Sequence, residues 1–201
     1  RERLKILRDH VKPDLGWLKT LEEGMAERAM AVAAARRELV SRLGPLALDG
    51  MGPFPGALLS LNGEIDDWLD NGPALEAEDQ YRTKLKVDRE RDKAVGRTHV
   101  GPHRTDLVVR HAQKGQAAAV CSTGEQKALL IAIILANASL RGREVGGVPV
   151  LLLDEVTAHL DEQRRNALFD HLMVSGAQVW MTGTDNSLFG EIKNHAQIFQ
   201  I

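Results

Sequence analysis

Apolar residues recur every three to four positions from Leu15 to Leu43, at Leu18, Leu21, Met25, Ala29, Val32, Ala33 and Leu39. That spacing predicts a long helix, closed by Gly44-Pro45. "GMGPFPG" at 50–56 reads as a loop, and a shorter helix is expected over 57–69, ending at "DNGP". Pro73 opens a third helix, expected over 74–94. Up to about residue 98 the pattern gives helices and no convincing strand, so 1–98 is expected to form an α-helical arm. Beyond it the period changes. "DLVVRH" (106–111) and "AAAVC" (117–121) look like strands, and a helix is expected from Thr123 to about Leu140. The apolar run 150–153, a helix over 161–174, a strand in "AQVWMTG" and another in "AQIFQI" follow. Apolar strands alternating with helices predict an α/β lobe over 99–201, a parallel sheet covered by helices on both faces.

The 201 residues suffice for one large or two small domains. The longest apolar run, 128–136, is far short of the roughly 20 residues of a membrane-spanning helix. No signal-like segment opens the chain, and the lone Cys121 has no partner for an internal disulfide, so a cytoplasmic protein is expected. The opening "RERLKILRDH" has no initiator Met and starts within a helix-like pattern, which suggests the later part of a longer protein. Net charge is only −2, but it is unevenly spread. Between Leu43 and Tyr81 there is no Lys or Arg, whereas Arg82, Lys84, Lys86, Arg89, Arg91, Lys93 and Arg97 then stand against only Asp88, Glu90 and Asp92. Two readings of that basic stretch stay open: a solvated helix face, or a surface that meets DNA phosphates without reading sequence. Only Tyr81 is aromatic nearby, which argues against base stacking.

"VLLLDEVTAHLD" at 150–161 sets an acidic pair at the end of an apolar strand, where open α/β sheets bind ligands. Asp154 there could hold Mg²⁺, and Glu155 could orient or deprotonate a water. Taken alone, the string fits a solvated acidic strand end equally well. "STGEQ" at 122–126 opens a helix with capping Ser122 and Thr123, a Gly124 that lets a ligand approach, and Glu125 in the first turn.

"STGEQ" resembles the signature motif of ABC-type ATPases in its chromosome-maintenance form, and "VLLLDEVTAHLD" resembles Walker B running into the D-loop. "GPHRTDL" at Gly101, "CSTGEQKALL" at Cys121, "LLLDEVTAHLD" and "QVWMTGTD" at Gln178 stand in the order found in the bacterial RecF family. By that resemblance Asp154 is the Mg²⁺ ligand and Glu155 the catalytic residue that activates water. Ser122, Gly124, Glu125 and Asp161 then belong to a nucleotide site shared with a second protomer. His159 in the D-loop is an interface contact. The resemblance also implies ATP and Mg²⁺ as cofactors and an ATP-dependent homodimer on DNA at single-strand gaps or junctions. RecR and RecO are the implied partners, with support of RecA loading and roles in replication, recombination, repair and the SOS response at the nucleoid.

Two departures limit the match. No G-x-x-x-x-G-K-[ST] occurs, so the phosphate cradle is absent and this chain alone is not expected to bind ATP productively. In "MTGTD", Gly183 or Thr184 stands where many members place a switch histidine, and either alignment is open. "GPHR" at 101–104 is either a turn entering a strand or a nucleotide or DNA contact through Arg104. An SMC or Rad50-like head is disfavoured by the short, Gly-Pro-broken arm, and a non-catalytic binding module remains the rival from another class.

Overall fold

The structure, a computed structural model, describes residues 1–8 and 14–200, except for the side chain of His159. It divides into two compact units, one of 1–41 with 60–108 and one of 42–59 with 109–201. The expected split at 98 is linear in the chain; this division is not, and it falls inside a helix and two strands.

The first unit carries α1 (Glu2–Arg8), most of α2 (Leu15–Leu48), α3 (Glu64–Asn71), α4 (Ala74–Val87) and α5 (Arg89–Val95). Its apolar centre joins Ala26, Ala29 and Ala33 of α2 to Ile65, Tyr81, Leu85 and Val100. Small α2 residues let the neighbouring helices approach closely. Tyr81 lies 2 % exposed, donates its hydroxyl to Val100 O at 3.2 Å, and is pushed up to about 12 by burial. Beside it lies a buried ionic network. Arg3 Nε meets Glu22 Oε1 at 2.9 Å and Arg3 Nη1 meets Asp92 Oδ2 at 2.7 Å, while Nη2 donates to Leu85 O at 2.6 Å. His99 gives its backbone N–H and its Nδ1 to Asp92 Oδ1, at 3.0 and 2.7 Å.

The second unit holds α6 (Thr123–Val145), β3 (Leu151–Leu153), α7 (Glu162–Ser175) and β4 (Val179–Met181). Strands β3 and β4 pair in parallel, Leu151 with Val179, Leu152 with Trp180 and Leu153 with Met181. Ala128, Ile131, Ala132 and Leu135 of α6 pack with Leu151, Leu153, Leu168 and Leu172 in one core. A second cluster sets Leu43 and Ala47 of α2 and Ala57 against Leu129, Ala136 and Leu140. Strands β1 (Ala57–Asn62) and β2 (Asp106–His111) form a separate two-stranded sheet.

Several expectations are corrected. Helix α2 continues through Gly44-Pro45 to Leu48. Pro45 removes one N–H from the helix ladder at an exposed position, while burial of Leu43 and Ala47 favours continuing the helix. The helix expected over 57–69 is strand β1 followed by α3, because "ALLSLN" buries alternate residues. The helix expected over 74–94 breaks at Asp88, whose φ of −84° and ψ of 8° end α4 and begin α5. "AAAVC" contains a 3-10 turn (Ala118–Val120), and residues 196–200 of "AQIFQI" form no strand; Ile201 lies outside the described residues. The run expected as a buried strand from Val150 begins at Leu151, and only alternate residues are covered. Leu151 and Leu153 are buried, whereas Leu152 is 76 % and Trp180 57 % exposed, so this chain covers one face of the pair.

Burial alone would raise the Asp92 carboxyl, but the His99 and Arg3 hydrogen bonds outweigh it and hold it below the usual value. A depressed carboxyl contributes stability above its unfolded pKa of about 3.9 and loses it as pH falls further. Asp92→Asn in the intact protein is therefore expected to cost about 3–5 kcal/mol at pH 7 in urea unfolding. The difference from wild type should shrink below about pH 4.

Candidate nucleotide site

The parallel register of β3 and β4 decides what happens one residue further on. Because Leu153 pairs with Met181, the next residues, Asp154 and Thr182, leave the sheet side by side. Thr182 N–H donates to Leu153 O at 3.1 Å, and the Thr182 hydroxyl donates to Asp154 Oδ1. Thr182 Oγ1 in turn accepts the Glu155 N–H at 3.0 Å. Thr182 thus ties both members of the acidic pair to the neighbouring strand. Glu155 adopts φ 46° and ψ 27°, the one positive φ at a non-glycine among the described residues. A left-handed glutamate is costly, and such residues gather where geometry matters to function. Both carboxylates are exposed.

The expected metal set reduces to Asp154 and its surroundings. Among the described residues no three His, Cys, Asp or Glu side chains gather as a closed metal site. Mg²⁺ does not require one, since it binds through one or two carboxylates, waters and phosphate oxygens. One exposed carboxylate, held by a hydroxyl at a strand end, fits that open mode.

A second cluster stands at the start of α6. Ser122 N–H and hydroxyl donate to Glu125 Oε2 at 3.0 and 2.9 Å, and Glu125 N–H returns a bond to Ser122 Oγ at 3.4 Å. This is a complete capping box. Gly124 has open space where a side chain would stand, so a ligand could approach the backbone there. Lys114, in the turn after β2, forms an ion pair with Glu125 Oε1. Lys114 and the two Ser122 donors hold the Glu125 carboxyl down to about 2. Gln126 Nε2 donates to Cys121 O at 3.0 Å and steadies the segment before the helix.

Asp161 caps α7, accepting from Arg164 N–H at 2.8 Å, and closes a 3-10 turn (Val156–His159) and Leu160. Thr157 in that turn is fully buried. The side chain of His159, expected as an interface contact, lies outside the described residues. At Gly183 a Cβ would lie 2.7 Å from the Phe189 ring, so no larger residue fits without displacing it. Between β4 and that glycine, Thr182 makes the contacts to the acidic pair, rather than either position weighed as the switch.

The basic candidates separate. Arg89 is turned inward, bound to Glu22 through Nε at 3.1 Å and Nη2 at 2.5 Å. Arg82 pairs with Asp79, and Lys84 lies 3.5 Å from Glu64 Oε1. Lys86, Arg91, Arg97 and Arg104 are exposed and Lys93 half-buried.

Sequence reasoning missed Thr182 and Lys114. Thr182 could have been found, since it follows "VWM" as Asp154 follows "LLL". Lys114 carries no local signal, because its partner is 11 residues away across a turn.

Among solved structures, the chain is similar to a recombination mediator protein RecF-ATP of the RecFOR pathway, with a TM-score of 0.72 and 20% identity. The likeness covers 92% of this chain and 50% of that one. The corresponding RecF-ATPrS structure gives a TM-score of 0.73 at the same identity and coverage. The architecture is that of an ABC-type ATPase, α/β with helical parts. No family model matches the chain. It is 46% identical over 203 residues to the DNA replication and repair protein RecF of Mesorhizobium japonicum, covering 100% of this chain and 53% of that protein. It is 50% identical over 187 residues to that of Agrobacterium fabrum, covering 92% and 50%, respectively. The chain belongs to the RecF family, and it spans about half the length of the curated relatives it matches.

Lys114→Met in the intact protein should move the Glu125 carboxyl upward from about 2 toward the ordinary value near 4.3, read by carboxyl carbon shifts against pH. Titration unchanged by the replacement would mean that the Ser122 cap alone depresses it.

Proposed function

We propose that this chain supplies the signature, Walker B and D-loop parts of a composite ATPase site, in a protein that acts on DNA during replication, recombination and repair. The observation that carries the proposal is the left-handed Glu155 fastened beside Asp154 by one threonine hydroxyl. A strand end that was acidic only for solubility would have no need of a strained backbone held by a neighbouring strand.

Each residue then has a physical task. Asp154, fixed by Thr182, would hold Mg²⁺, which supplies charge neutralisation at phosphate oxygens when bound. Glu155 orients the attacking water and takes its proton. Ser122, Gly124 and the N-terminus of α6 offer a hydroxyl and backbone N–H groups to the terminal phosphate of ATP held by a second protomer. Asp161 and the turn before it meet that protomer. The phosphate loop with its lysine is absent from these 201 residues, so the site is completed by sequence outside them.

The family relation supports the rest of the proposal: ATP-dependent dimerisation on DNA at single-strand gaps, RecR and RecO as partners, and support of RecA loading in the cytoplasm. Among the described residues no helix is long and apolar enough to cross a membrane. The exposed Lys86, Arg91, Arg97 and Arg104 and the half-buried Lys93 are the candidate DNA contacts; the pairing of Arg82, Lys84 and Arg89 with carboxylates makes them weaker ones.

In the whole protein, Glu155→Gln should lower DNA-stimulated ATP hydrolysis by roughly 10²–10⁴-fold while leaving ATP binding in place. Turnover unchanged by that replacement would remove Glu155 from the reaction, and hydrolysis by these 201 residues alone would contradict the composite site.

A further inference from the structure

The first unit has a concavity of about 360 Å³ lined by Arg1, Arg97, His103 and Arg104, with Leu4 and Met25 at its floor. Among the described residues none of those lining it is acidic. A fourth guanidinium stands beside it. Gly96 ends α5 in the left-handed conformation, φ 75°, and a Cβ there would come within 1.7 Å of Arg8 Nη2, so the Arg8 side chain lies directly over the glycine. Glycine at 96 meets two demands, the turn and the close approach of this arginine.

Among the described residues, Arg1, Arg8, Arg97 and Arg104 have no carboxylate within ion-pair distance, whereas Arg3, Arg37, Arg82 and Arg89 all do. The nearby buried carboxylates, Glu22 and Asp92, are already held by Arg3, Arg89 and His99. Four guanidiniums around one hollow repel one another unless an anion sits among them.

The loop that carries Arg104 is braced from several sides. Arg36 donates to Pro102 O, the His103 ring holds Thr98 O at 3.0 Å through Nε2, and Arg104 N–H donates to Gly101 O at 2.9 Å. Gly101, at φ 151°, packs under the Tyr81 hydroxyl, where a Cβ would lie 2.7 Å from it. Arg104 therefore projects from a fixed turn, which lowers the ordering cost of binding.

We propose that this concavity seats backbone phosphates of DNA, with Arg97 and Arg104 as the principal donors and Arg8 and Arg1 completing the field. It rests on the proposed action on DNA, and it places the contact in this hollow rather than along the exposed basic face of α4 and α5. Planar guanidinium forks match phosphate oxygens two at a time. Leu4 and Met25 offer apolar area to deoxyribose, and among the described residues no Phe, Tyr or Trp lines the hollow, so phosphate contacts rather than base stacking carry the binding and it is independent of sequence.

The test measures duplex affinity of the whole protein against salt concentration. Replacing both Arg97→Ala and Arg104→Ala should lower affinity roughly tenfold or more and reduce the slope of log K against log salt by about 2. Lys19→Ala with Arg28→Ala removes the same charge from exposed positions of the same unit and should leave the slope unchanged. Arg97→Lys with Arg104→Lys should keep the slope and lose part of the affinity. Equal slopes for wild type and the Arg97/Arg104 double alanine variant, or equal losses in both double alanine variants, would overturn the phosphate seat while leaving the action on DNA intact. Failure of the wild-type protein to bind duplex at all would overturn the DNA proposal itself, and the seat with it.

Discussion

The register between β3 and β4 is the constraint on which the candidate site depends. Leu153 opposite Met181 puts Asp154 and Thr182 in adjacent positions as both strands end, and a shift of one residue would turn the buried leucines outward and separate the pair. Leu151 and Leu153 hold the register because they alone of the strand enter the core shared by α6 and α7. Core packing thereby places a hydroxyl where it can bind one carboxylate and the backbone of the next. The left-handed Glu155 is tolerated because Thr182 accepts its N–H.

The chain prepares its two candidate phosphate-facing elements by different means. At β3 the carboxylates are fixed by a neighbouring strand and left open to solvent. At α6 the helix terminus is satisfied internally, by a carboxylate that Lys114 helps to keep ionised. An anion arriving at the latter must compete with Glu125 for the Ser122 hydroxyl, which makes the capping box a point where nucleotide and protein geometry are linked. The first unit uses charge differently again, burying two carboxylates against arginines and gathering other arginines around a hollow that no described acidic residue lines.

Helix α6 was legible because its cap, its first-turn glutamate and its apolar run are all local. Strand β3, α7 and β4 were legible for similar reasons, and so was the acidic pair at the strand end. Strand β1 was misread because "LLSL" satisfies helical and strand spacing equally, and only pairing with a distant strand decides it. Gly44-Pro45 looked like a stop because the local cost of proline is visible in sequence and the core contacts of Leu43 and Ala47 are not. The inward turn of Arg89 followed from long-range partners in the same way. Charge counting placed it on a basic face; packing gave it to Glu22.

The central claim is that one protomer's Asp154-Glu155 pair acts with the other protomer's Ser122 cap. Mixing two inactive whole proteins tests it most directly, one carrying Glu155→Gln and the other Ser122→Arg. In a mixed dimer one composite site retains both an intact Glu155 and an intact Ser122. Random pairing of two-fold dimers should then restore about a quarter of wild-type ATP hydrolysis. No recovery on mixing, with dimer formation verified, would contradict the account.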